Sequence, residues 1–320
     1  MIVNKHLVTL FFIQVTMLLI NVGVRAQYSY YSIKVGDIKV TALSDGSVDI
    51  DVKQLFEPKD GNTAEELVKK EYLQNPVEVS INTYLLQDGK KNILVDTGAG
   101  DIFGSNAGSL LKSLKAYGLK PSEITDILIT HIHADHTGGL VVNNKMVFPN
   151  ATLHVNEQEL NFWFKEVVLS DEQDTNKGAD AKTYENARNM MTPYIKANKV
   201  RTFKGDNVEL LFNIKALCFA GHTPGHTVYV LQSKGEQMYF WGDLVHVASV
   251  QFLDPFMTDY FDVEQEEAKQ TRYTFYEKVV KEQALIGASH ISFPGIGRLQ
   301  KTQQSYKWIA VPFSVKGRTK

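Results

Sequence analysis

The sequence has little of two features that would indicate other classes of protein, namely cysteine and an excess of basic residues. Its 320 residues include one cysteine, Cys218, so no internal disulfide can form. Cys218 lies in the apolar run 216–220, and we expect it to be a small core residue. Basic residues (34) do not outnumber acidic residues (36), so the chain lacks the basic surface that nucleic-acid binding requires. A chain of this length can bury enough apolar surface to fold without cross-links.

Long hydrophobic runs are also scarce, because only residues 7–24 form one and polar residues interrupt it. This run follows Lys5 and ends at Val24-Arg25-Ala26, which resembles a signal-peptidase site, so residues 1–26 are predicted to be a signal peptide. A membrane anchor or a buried helix is the alternative, although the run is short for a membrane span. We expect export to the periplasm or the medium, no membrane attachment after cleavage, and a single domain over 27–320.

Apolar periodicity beyond the signal predicts strands that alternate with single helices, which is typical of a mixed α/β layered protein. Thr63 with Glu66, Asn156 with Glu159 and Asp262 with Gln265 are placed to cap helices. Residues 170–181 are polar and are predicted to form a surface excursion. The predicted strands are 32–35, 38–43, 79–86, 92–95, 151–155, 208–219, 227–233, 237–241 and 285–293. The predicted helices are 63–72, 110–117, one after Asn156, 183–197 as far as Pro193, and a long one that Asp262 caps and that ends at about Ala284.

The densest group of metal-ligand side chains follows the strand-like run 126–129. Within six residues the chain carries three imidazoles and a carboxylate: His131, His133, Asp135 and His136. Neutral imidazole and carboxylate are ligands that Zn²⁺ and similar divalent ions take. Residues i and i+2 on extended backbone point the same way, so His131 and His133 can hold one ion. A loop this short cannot easily bring all four groups to one ion, and the pattern therefore predicts two adjacent ions.

Three later segments place a ligand-type side chain close to a glycine near the end of a strand-like run. These side chains are His222, Asp243 and His290. Taken alone, Asp243 and His290 are each as compatible with a structural role as with metal binding. Their position on loops that follow strands is where functional sites are usually built.

The spacing His131-x-His133-x-Asp135-His136 resembles the signature of the metallo-β-lactamase superfamily of dinuclear metallohydrolases. The resemblance implies an αβ/βα sandwich of two mixed β-sheets flanked by helices. It also implies two divalent ions per chain, expected to be Zn²⁺. The implied ligands are His131, His133 and His222 for the first ion, Asp135, His136 and His290 for the second, and Asp243 as the bridge between them.

Other polar residues have weaker predicted roles. Asp96 resembles the family carboxylate that steadies a ligand imidazole, although a turn-capping role is the alternative. His226 and His154 are expected to be structural. His246 lies three residues beyond Asp243, where lactonases of the better-known branch of the superfamily carry a tyrosine. It could donate a proton to the leaving oxygen, or it could only shape the pocket. The candidate catalytic residues are Asp135 and His246. Asp135 is placed to orient a hydroxide and accept its proton.

The segment 289–297 resembles the methyl parathion hydrolase branch, which includes secreted N-acyl homoserine lactonases. A carboxylate at position 243 favours lactone, ester or phosphotriester hydrolysis, since β-lactamases commonly have another residue there. We expect a dinuclear zinc hydrolase that opens a lactone, with N-acyl homoserine lactone as substrate and quorum quenching as the role. A phosphotriesterase of the methyl parathion hydrolase type is the alternative.

Two further alternatives stay open, a β-lactamase and a non-catalytic protein with a structural metal site. The second predicts filled coordination with no position left for water. Residues 245–261 are rich in aromatics, and they are expected either to line a pocket for an apolar acyl or aryl group or to pack in the core. The expected partner is a small lactone or ester carrying such a group, with no nucleic acid; a homodimer is possible.

Overall fold

The computed structural model describes residues 29–56, 63–165 and 178–312. The predicted signal peptide, residues 1–26, lies outside these ranges, as do residues 170–177 of the predicted polar excursion. Among the described helices, none combines the length and the apolar character that a membrane crossing requires.

The strands of the described chain are numbered in sequence order. They are β1 (Tyr30–Val35), β2 (Ile38–Ile50), β3 (Val77–Gln87), β4 (Asn92–Val95), β5 (Asp126–Leu128), β6 (Val141–Val142), β7 (Lys145–Met146), β8 (Thr152–Asn156), β9 (Val200–Phe203), β10 (Val208–Leu211), β11 (Ile214–Cys218), β12 (Thr227–Ser233), β13 (Glu236–Phe240), β14 (Leu285–Gly287), β15 (Ile296–Lys301) and β16 (Tyr306–Ala310).

Two seven-stranded mixed sheets contain all of these strands except the short β6–β7 pair. The first sheet has the order β1-β2-β3-β4-β5-β8-β9, antiparallel as far as β4 and parallel from β4 to β9. The second has the order β10 to β16 and is antiparallel except for the parallel pair β13–β14. The α-helices are α1 (Val52–Leu55), α2 (Ala64–Lys70), α3 (Leu110–Tyr117), α4 (Ala134–Thr137), α5 (Glu157–Phe164), α6 (Ala181–Lys196), α7 (Ala248–Gln251) and α8 (Gln265–Glu282).

Three apolar clusters show how the layers stack. Between the sheets, side chains such as Val40 and Tyr84 from the first sheet pack with Tyr229 and Phe240 from the second. On the outer face of the first sheet, α3, α5 and α6 cover strands β2, β3, β5 and β8. On the outer face of the second sheet, α8 covers β12 and β13. The fold is therefore the αβ/βα sandwich that the sequence predicts.

The strands deliver the predicted site residues to one edge of the sandwich. β4 and β5 are parallel, and they end immediately before Asp96 and shortly before His131. In the second sheet β11, β13 and β14 run in the same direction, since β12 is antiparallel to both β11 and β13. Their carboxyl ends therefore lie along one edge, where His222, Asp243 and His290 follow them.

The second sheet differs from its predicted form at two places. The strand expected over 208–219 is a hairpin, because Phe212 and Asn213 turn between β10 and β11, with Asn213 at φ +68°. The strand expected over 285–293 ends at Gly287, and the loop beyond it carries His290. The described chain also contains β9, β15 and β16, which we did not predict, since short strands with charged outer positions have a weak apolar pattern.

Two predicted helix features are wrong. Helix α6 continues past Pro193 to Lys196, because Pro193 lies in the last turn and the neighbouring Tyr194 is buried, with its hydroxyl donating to Leu140 O (3.1 Å). Helix α8 begins at Gln265 with Glu264 as its N-cap, since the carboxylate of Asp262 is held in other hydrogen bonds. The buried side of α8 is Ala268, Arg272, Phe275, Tyr276 and Val279.

Several local predictions are confirmed. Thr63 and Glu66 form a capping box at the start of α2, and Gly118 ends α3 in the left-handed conformation at φ +99°.

Two other local predictions hold only in part or not at all. Asn156 caps α5, but Glu159 does not complete a capping box there. Cys218 is half-buried at the end of β11 and is not the core residue that we expected.

Asp126 begins β5 at the end of the strand remote from the candidate site. It accepts hydrogen bonds from Lys91 Nζ and His154 Nε2, each at 2.9 Å. Burial alone would raise its pKa, but these hydrogen bonds outweigh burial and lower the pKa to about 2. His154 therefore has the structural role expected of it.

We expect Asp126→Asn to lower the free energy of unfolding at pH 7 by about 1–3 kcal/mol, because the charged hydrogen bonds are lost. A carboxyl with a depressed folded-state pKa stabilises the fold above its unfolded pKa of 3.8 and loses this effect as the pH falls towards about 2. Urea denaturation of the wild type and the variant at pH 7 and at pH 3 measures the loss of stability and its dependence on pH. An equal difference between variant and wild type at the two pH values would contradict the assignment.

Candidate metal centre

The first cluster at the shared sheet edge consists of three buried imidazoles and a carboxylate. Nε2 of His131, Nδ1 of His133 and Nε2 of His222 lie 3.0–3.2 Å from one another. Oδ2 of Asp243 lies 3.6 Å from both Nε2 atoms. Donor atoms about 2.1 Å from a tetrahedral Zn²⁺ are roughly 3.3 Å apart. The four atoms therefore have the spacing of ligands that share one ion.

The second cluster adjoins the first through Asp243. Its other carboxylate oxygen, Oδ1, lies 3.0 Å from His136 Nε2 and 3.1 Å from His290 Nε2. Oδ2 of Asp135 lies 3.3 Å from His290 Nε2 and 3.7 Å from His136 Nε2. These four side chains can also hold a metal ion. Asp243 is the one residue common to both clusters. Its Oδ2 also lies 3.2 Å from His290 Nε2, so the carboxylate lies between the two groups of imidazoles.

Each of the five clustered imidazoles has its outer nitrogen within hydrogen-bond distance of a protein acceptor. A neutral imidazole carries one N–H, so donating it outward leaves the inner nitrogen with a free lone pair. Donor and acceptor pairs are His131 Nδ1 to Thr130 Oγ1 (3.1 Å), His133 Nε2 to Gly178 O (3.1 Å), His136 Nδ1 to Asp96 Oδ2 (2.8 Å), His222 Nδ1 to Asp262 Oδ1 (3.1 Å) and His290 Nδ1 to Ser80 O (3.0 Å).

Asp96 has the supporting position that was predicted for it. Its Oδ2 accepts from Thr130 Oγ1 at 2.8 Å as well as from His136, and its Oδ1 accepts from Thr130 N at 2.9 Å. Its backbone is left-handed, at φ +59°, which costs a non-glycine residue free energy. The Thr130 hydroxyl donates to Asp96, so it is free to accept from His131. One carboxylate thus orients an imidazole in each cluster.

The buried side-chain atoms that lack a hydrogen-bond partner in the described chain include two in the second cluster, His136 Nε2 and Asp243 Oδ1. A buried polar atom without a partner costs roughly 1–3 kcal/mol. The two atoms lie 3.0 Å apart in the second cluster, and both are electron-pair donors when His136 is unprotonated. A divalent cation satisfies two such atoms at once, so the residues present fit a bound metal.

The charge environment differs between the clusters. Burial, the largest effect, lowers the pKa of His133 to about 4 and lowers those of His131 and His222 well below their usual value. These imidazoles are therefore neutral, as metal ligands must be. Burial also opposes protonation of His290, but Asp243 and Asp135 outweigh it and raise the pKa of His290 to about 9. The second cluster thus attracts positive charge.

His246 and His226 both contact Asp243 but differ in what else they contact. His226 Nδ1 donates to Phe219 O (3.0 Å), and its Nε2 accepts the backbone N–H of Asp243 (3.0 Å), so it positions Asp243 as a structural residue. His246 Nε2 lies 3.1 Å from Asp243 Oδ2, and its Nδ1 lies 2.9 Å from Asp259 Oδ2. His246 also faces the cavity described next.

A cavity of about 940 Å³ opens over both clusters. Asp135, Asp243, His246 and His290 form part of its floor. Apolar and aromatic side chains form much of its wall: Val48, Ile50, Leu55, Val79, Ile102, Phe103, Tyr260 and Phe261.

The aromatic segment 245–261 contributes to both predicted environments. Tyr260 and Phe261 line the cavity, whereas Phe252 and Met257 are buried in the core. Phe256 stacks on Tyr273, with the ring centroids 5.1 Å apart.

The family model described as the metallo-beta-lactamase superfamily matches residues 76–290, which contain both clusters. The chain belongs to this superfamily. The resemblance inferred from the His131–His136 spacing is thereby confirmed, and the protein is a metal-dependent hydrolase.

Two solved structures resemble nearly the whole fold. One is a hydrolase, AbOPH, of the beta lactamase superfamily, with 35% identity, a TM-score of 0.79, and coverage of 89% of this chain and 98% of that chain. The other is AidC, a dizinc quorum-quenching lactonase solved with a product, N-hexanoyl-L-homoserine; its identity is 28%, its TM-score 0.81, and its coverage 89% and 98%.

A curated relative matches only in part. The lactamase-like protein adaB of Aspergillus niger is 51% identical over 59 residues, which is 18% of this chain and 17% of that protein. The match thus spans less than a fifth of that relative's length.

Apart from Asp96, the sequence did not identify the residues that orient the clusters from outside. Asp262 and the carbonyls of Gly178 and Ser80 accept the outer N–H groups of three imidazoles. Asn82, on β3, donates to Ala288 O (3.0 Å) and Ile291 O (2.6 Å) and so holds the loop of His290 against the first sheet. None of these has a sequence signal, because each acts through a contact between segments distant in the chain.

Metal addition is expected to stabilise chelator-treated protein, because an ion bound only by the folded state shifts the unfolding equilibrium. The melting temperature should rise by several degrees with Zn²⁺. The rise should be smaller at pH 6 than at pH 8, since bound protons on His290 compete with the ion. Differential scanning fluorimetry measures both effects. Asp243→Asn is the control, and an equal rise in that variant would contradict metal binding at the clusters.

Proposed function

We propose that this protein is an exported dinuclear zinc hydrolase that opens N-acyl homoserine lactones, and that its role is quorum quenching. The observation that carries the proposal is the carboxylate of Asp243, which both groups of imidazoles share. His131, His133 and His222 would hold the first ion, Asp135, His136 and His290 the second, and Asp243 both. Ions held by these residues would polarise the scissile carbonyl and would lower the pKa of a bound water.

The chain's own residues supply proton handling on both sides of the reacting carbonyl. Asp135 is the less buried of the two carboxylates, with a side chain 16% exposed towards the cavity, whereas Asp243 is 1% exposed. The pKa of Asp135 is lowered to about 2, because His136 and His290 outweigh the effect of burial, so its carboxylate is ionised at neutral pH. An ionised Asp135 can accept a hydrogen bond from the attacking water and so orient it for attack; its low pKa favours this orienting role over holding the proton.

His246 is placed to donate a proton to the leaving oxygen. Asp259 holds its Nδ1 at 2.9 Å, which directs Nε2 towards the cavity floor. Asp259 is itself fixed by Gln251 Nε2 (3.1 Å) and by the backbone N–H of Phe261 (3.0 Å). An imidazolium held in this orientation can give its proton to a ring-opened alkoxide.

The cavity supports a substrate with an apolar tail. Its aliphatic and aromatic wall suits a fatty acyl chain, and its polar floor suits a lactone head group. AidC, which is 28% identical over most of this chain, is a lactonase solved with an acyl homoserine product. Export agrees with the predicted signal peptide, because an exported enzyme meets a lactone released by other cells. A homodimer stays a prediction.

Phosphotriester hydrolysis is the second candidate. The aromatic side chains of Phe103, Tyr260 and Phe261 line the cavity and are each about two-fifths exposed, so they can stack on an aryl leaving group. Two ions can activate a phosphoryl oxygen as well as a carbonyl oxygen.

Turnover by metal-reconstituted protein on an acyl homoserine lactone and on an aryl phosphotriester separates the candidates. We expect the lactone to have the higher kcat/KM, and we expect Asp135→Asn to lower kcat on either substrate by roughly two orders of magnitude or more. The metal content of each sample serves as its control. A faster phosphotriester reaction would favour the second candidate, and inactivity on both substrates would contradict the proposal.

His246→Gln should affect substrates according to their leaving groups. A lactone expels an alkoxide that needs a proton, so kcat should fall by about 10²-fold. A p-nitrophenyl ester expels a stable phenolate, so its kcat should change little. Steady-state assays of both substrates provide the test. An equal loss on both would show that His246 only shapes the pocket.

A further inference from the structure

One buried side chain contacts both chain segments that carry the first cluster. Glu159 lies in the first turn of α5, and its side chain is shielded from solvent. It was expected to cap that helix. Both of its carboxylate oxygens instead accept hydrogen bonds from outside the helix start, two on each oxygen.

The first oxygen of Glu159 holds the segment 131–133. Oε1 accepts the backbone N–H of Ile132 at 2.8 Å and the indole N–H of Trp163 at 2.6 Å. Ile132 lies between His131 and His133. The Trp163 ring packs edge-on against His133, with ring centroids 5.4 Å apart and an interplanar angle of 69°. This oxygen therefore fixes both the backbone between two clustered imidazoles and the ring that supports one of them.

The second oxygen of Glu159 holds the segment that follows His222. Oε2 accepts from Thr223 Oγ1 at 2.6 Å and from the backbone N–H of Gly225 at 3.0 Å. The segment is docked closely against α5, because a Cβ atom at position 225 would lie 2.2 Å from the backbone nitrogen of Glu159. Glycine at this position permits the approach.

We propose that Glu159 is a positioning residue for the first metal position, and this inference rests on the proposed dinuclear function. Its carboxylate links the 131–133 segment of one sheet to the 222–225 segment of the other. The link keeps Nε2 of His131, Nδ1 of His133 and Nε2 of His222 close enough to share one ion. Outer groups that orient ligands typically change metal affinity by about 10- to 100-fold when they are removed.

The four donors require two accepting oxygens. Glutamine has almost the same shape as glutamate, but it offers one accepting oxygen and one NH₂ group. Whichever way the amide of Glu159→Gln turns, its NH₂ group meets a backbone N–H, that of Ile132 or that of Gly225. One of the two segments therefore loses its hydrogen bonds while the volume of the side chain is conserved.

The test is the affinity of each ion in full-length Glu159→Gln, measured by competition with a chromophoric Zn²⁺ chelator. We expect the first-position ion to bind roughly 10- to 100-fold more weakly than in the wild type, and the second-position ion to be little changed. The visible absorption of the Co²⁺-substituted protein should change as well, since it reports the ligand geometry at the ion.

Asp126→Asn is the matched control, because Asp126 is also a buried carboxylate that is hydrogen-bonded from two directions. It lies away from both clusters. This variant should lose stability but keep wild-type affinity for both ions and the wild-type Co²⁺ spectrum. A general loosening of the fold would instead lower the metal affinity of both variants to a similar extent. That result would overturn the inference.

Thr223→Val keeps the test decisive if Glu159→Gln does not fold. This variant removes one donor to Oε2 with little change of shape, so it should weaken the same ion by a smaller factor. Wild-type affinities and spectrum in whichever of the two variants folds would overturn the positioning role while leaving the proposed function standing. A wild-type protein that binds no ion would overturn both.

Discussion

The structure depends on the outward hydrogen bond that each clustered imidazole donates. Each of these bonds fixes the orientation of a ring, and together they direct five inner nitrogens towards one carboxylate, that of Asp243. This packing is unfavourable on its own, since it buries the neutral imidazoles of the first cluster without donors and leaves His136 Nε2 and Asp243 Oδ1 unpartnered. Divalent cations bound by these side chains would remove this cost. The fold thus holds side chains that are suited to bind metal.

The two-sheet architecture explains how residues far apart in sequence reach this site. β5 delivers His131 from the first sheet, and β11, β13 and β14 deliver His222, Asp243 and His290 from the second. The two edges are joined by side chains that cross between them. Asn82 on β3 holds the loop of His290, and Glu159 on α5 holds the segments of His131 and His222. The distances between the cluster side chains therefore depend on how the two sheets are positioned against each other.

The parts of this arrangement that are local in sequence could be predicted. The 131–136 motif places four ligand-type side chains within one turn of chain, and glycine-flanked strand ends indicate Asp243 and His290. The layer order could also be anticipated, from the alternation of strands with helices and from the family resemblance. Helix starts with strong capping pairs, such as Thr63 with Glu66, were placed correctly for the same reason.

Features that depend on tertiary contacts were missed. Asp262 has the sequence pattern of a helix cap, yet it is drawn away by His222 and by Arg272, whose guanidinium lies 3.0 Å from it. Glu159 likewise has the pattern of a capping residue and serves instead as an acceptor between segments. Pro193 has the pattern of a helix terminator, but the packing of α6 outweighs its lost hydrogen bond. In each case a contact with a distant segment outweighs the local preference.

The proposed function requires two cations at this site, with Asp243 between them. Anomalous X-ray scattering from a crystal of the protein, recorded on both sides of the zinc absorption edge, tests it most directly. The account predicts two peaks, one among His131, His133 and His222 and the other among Asp135, His136 and His290. A single peak, or none, in metal-saturated crystals would contradict it.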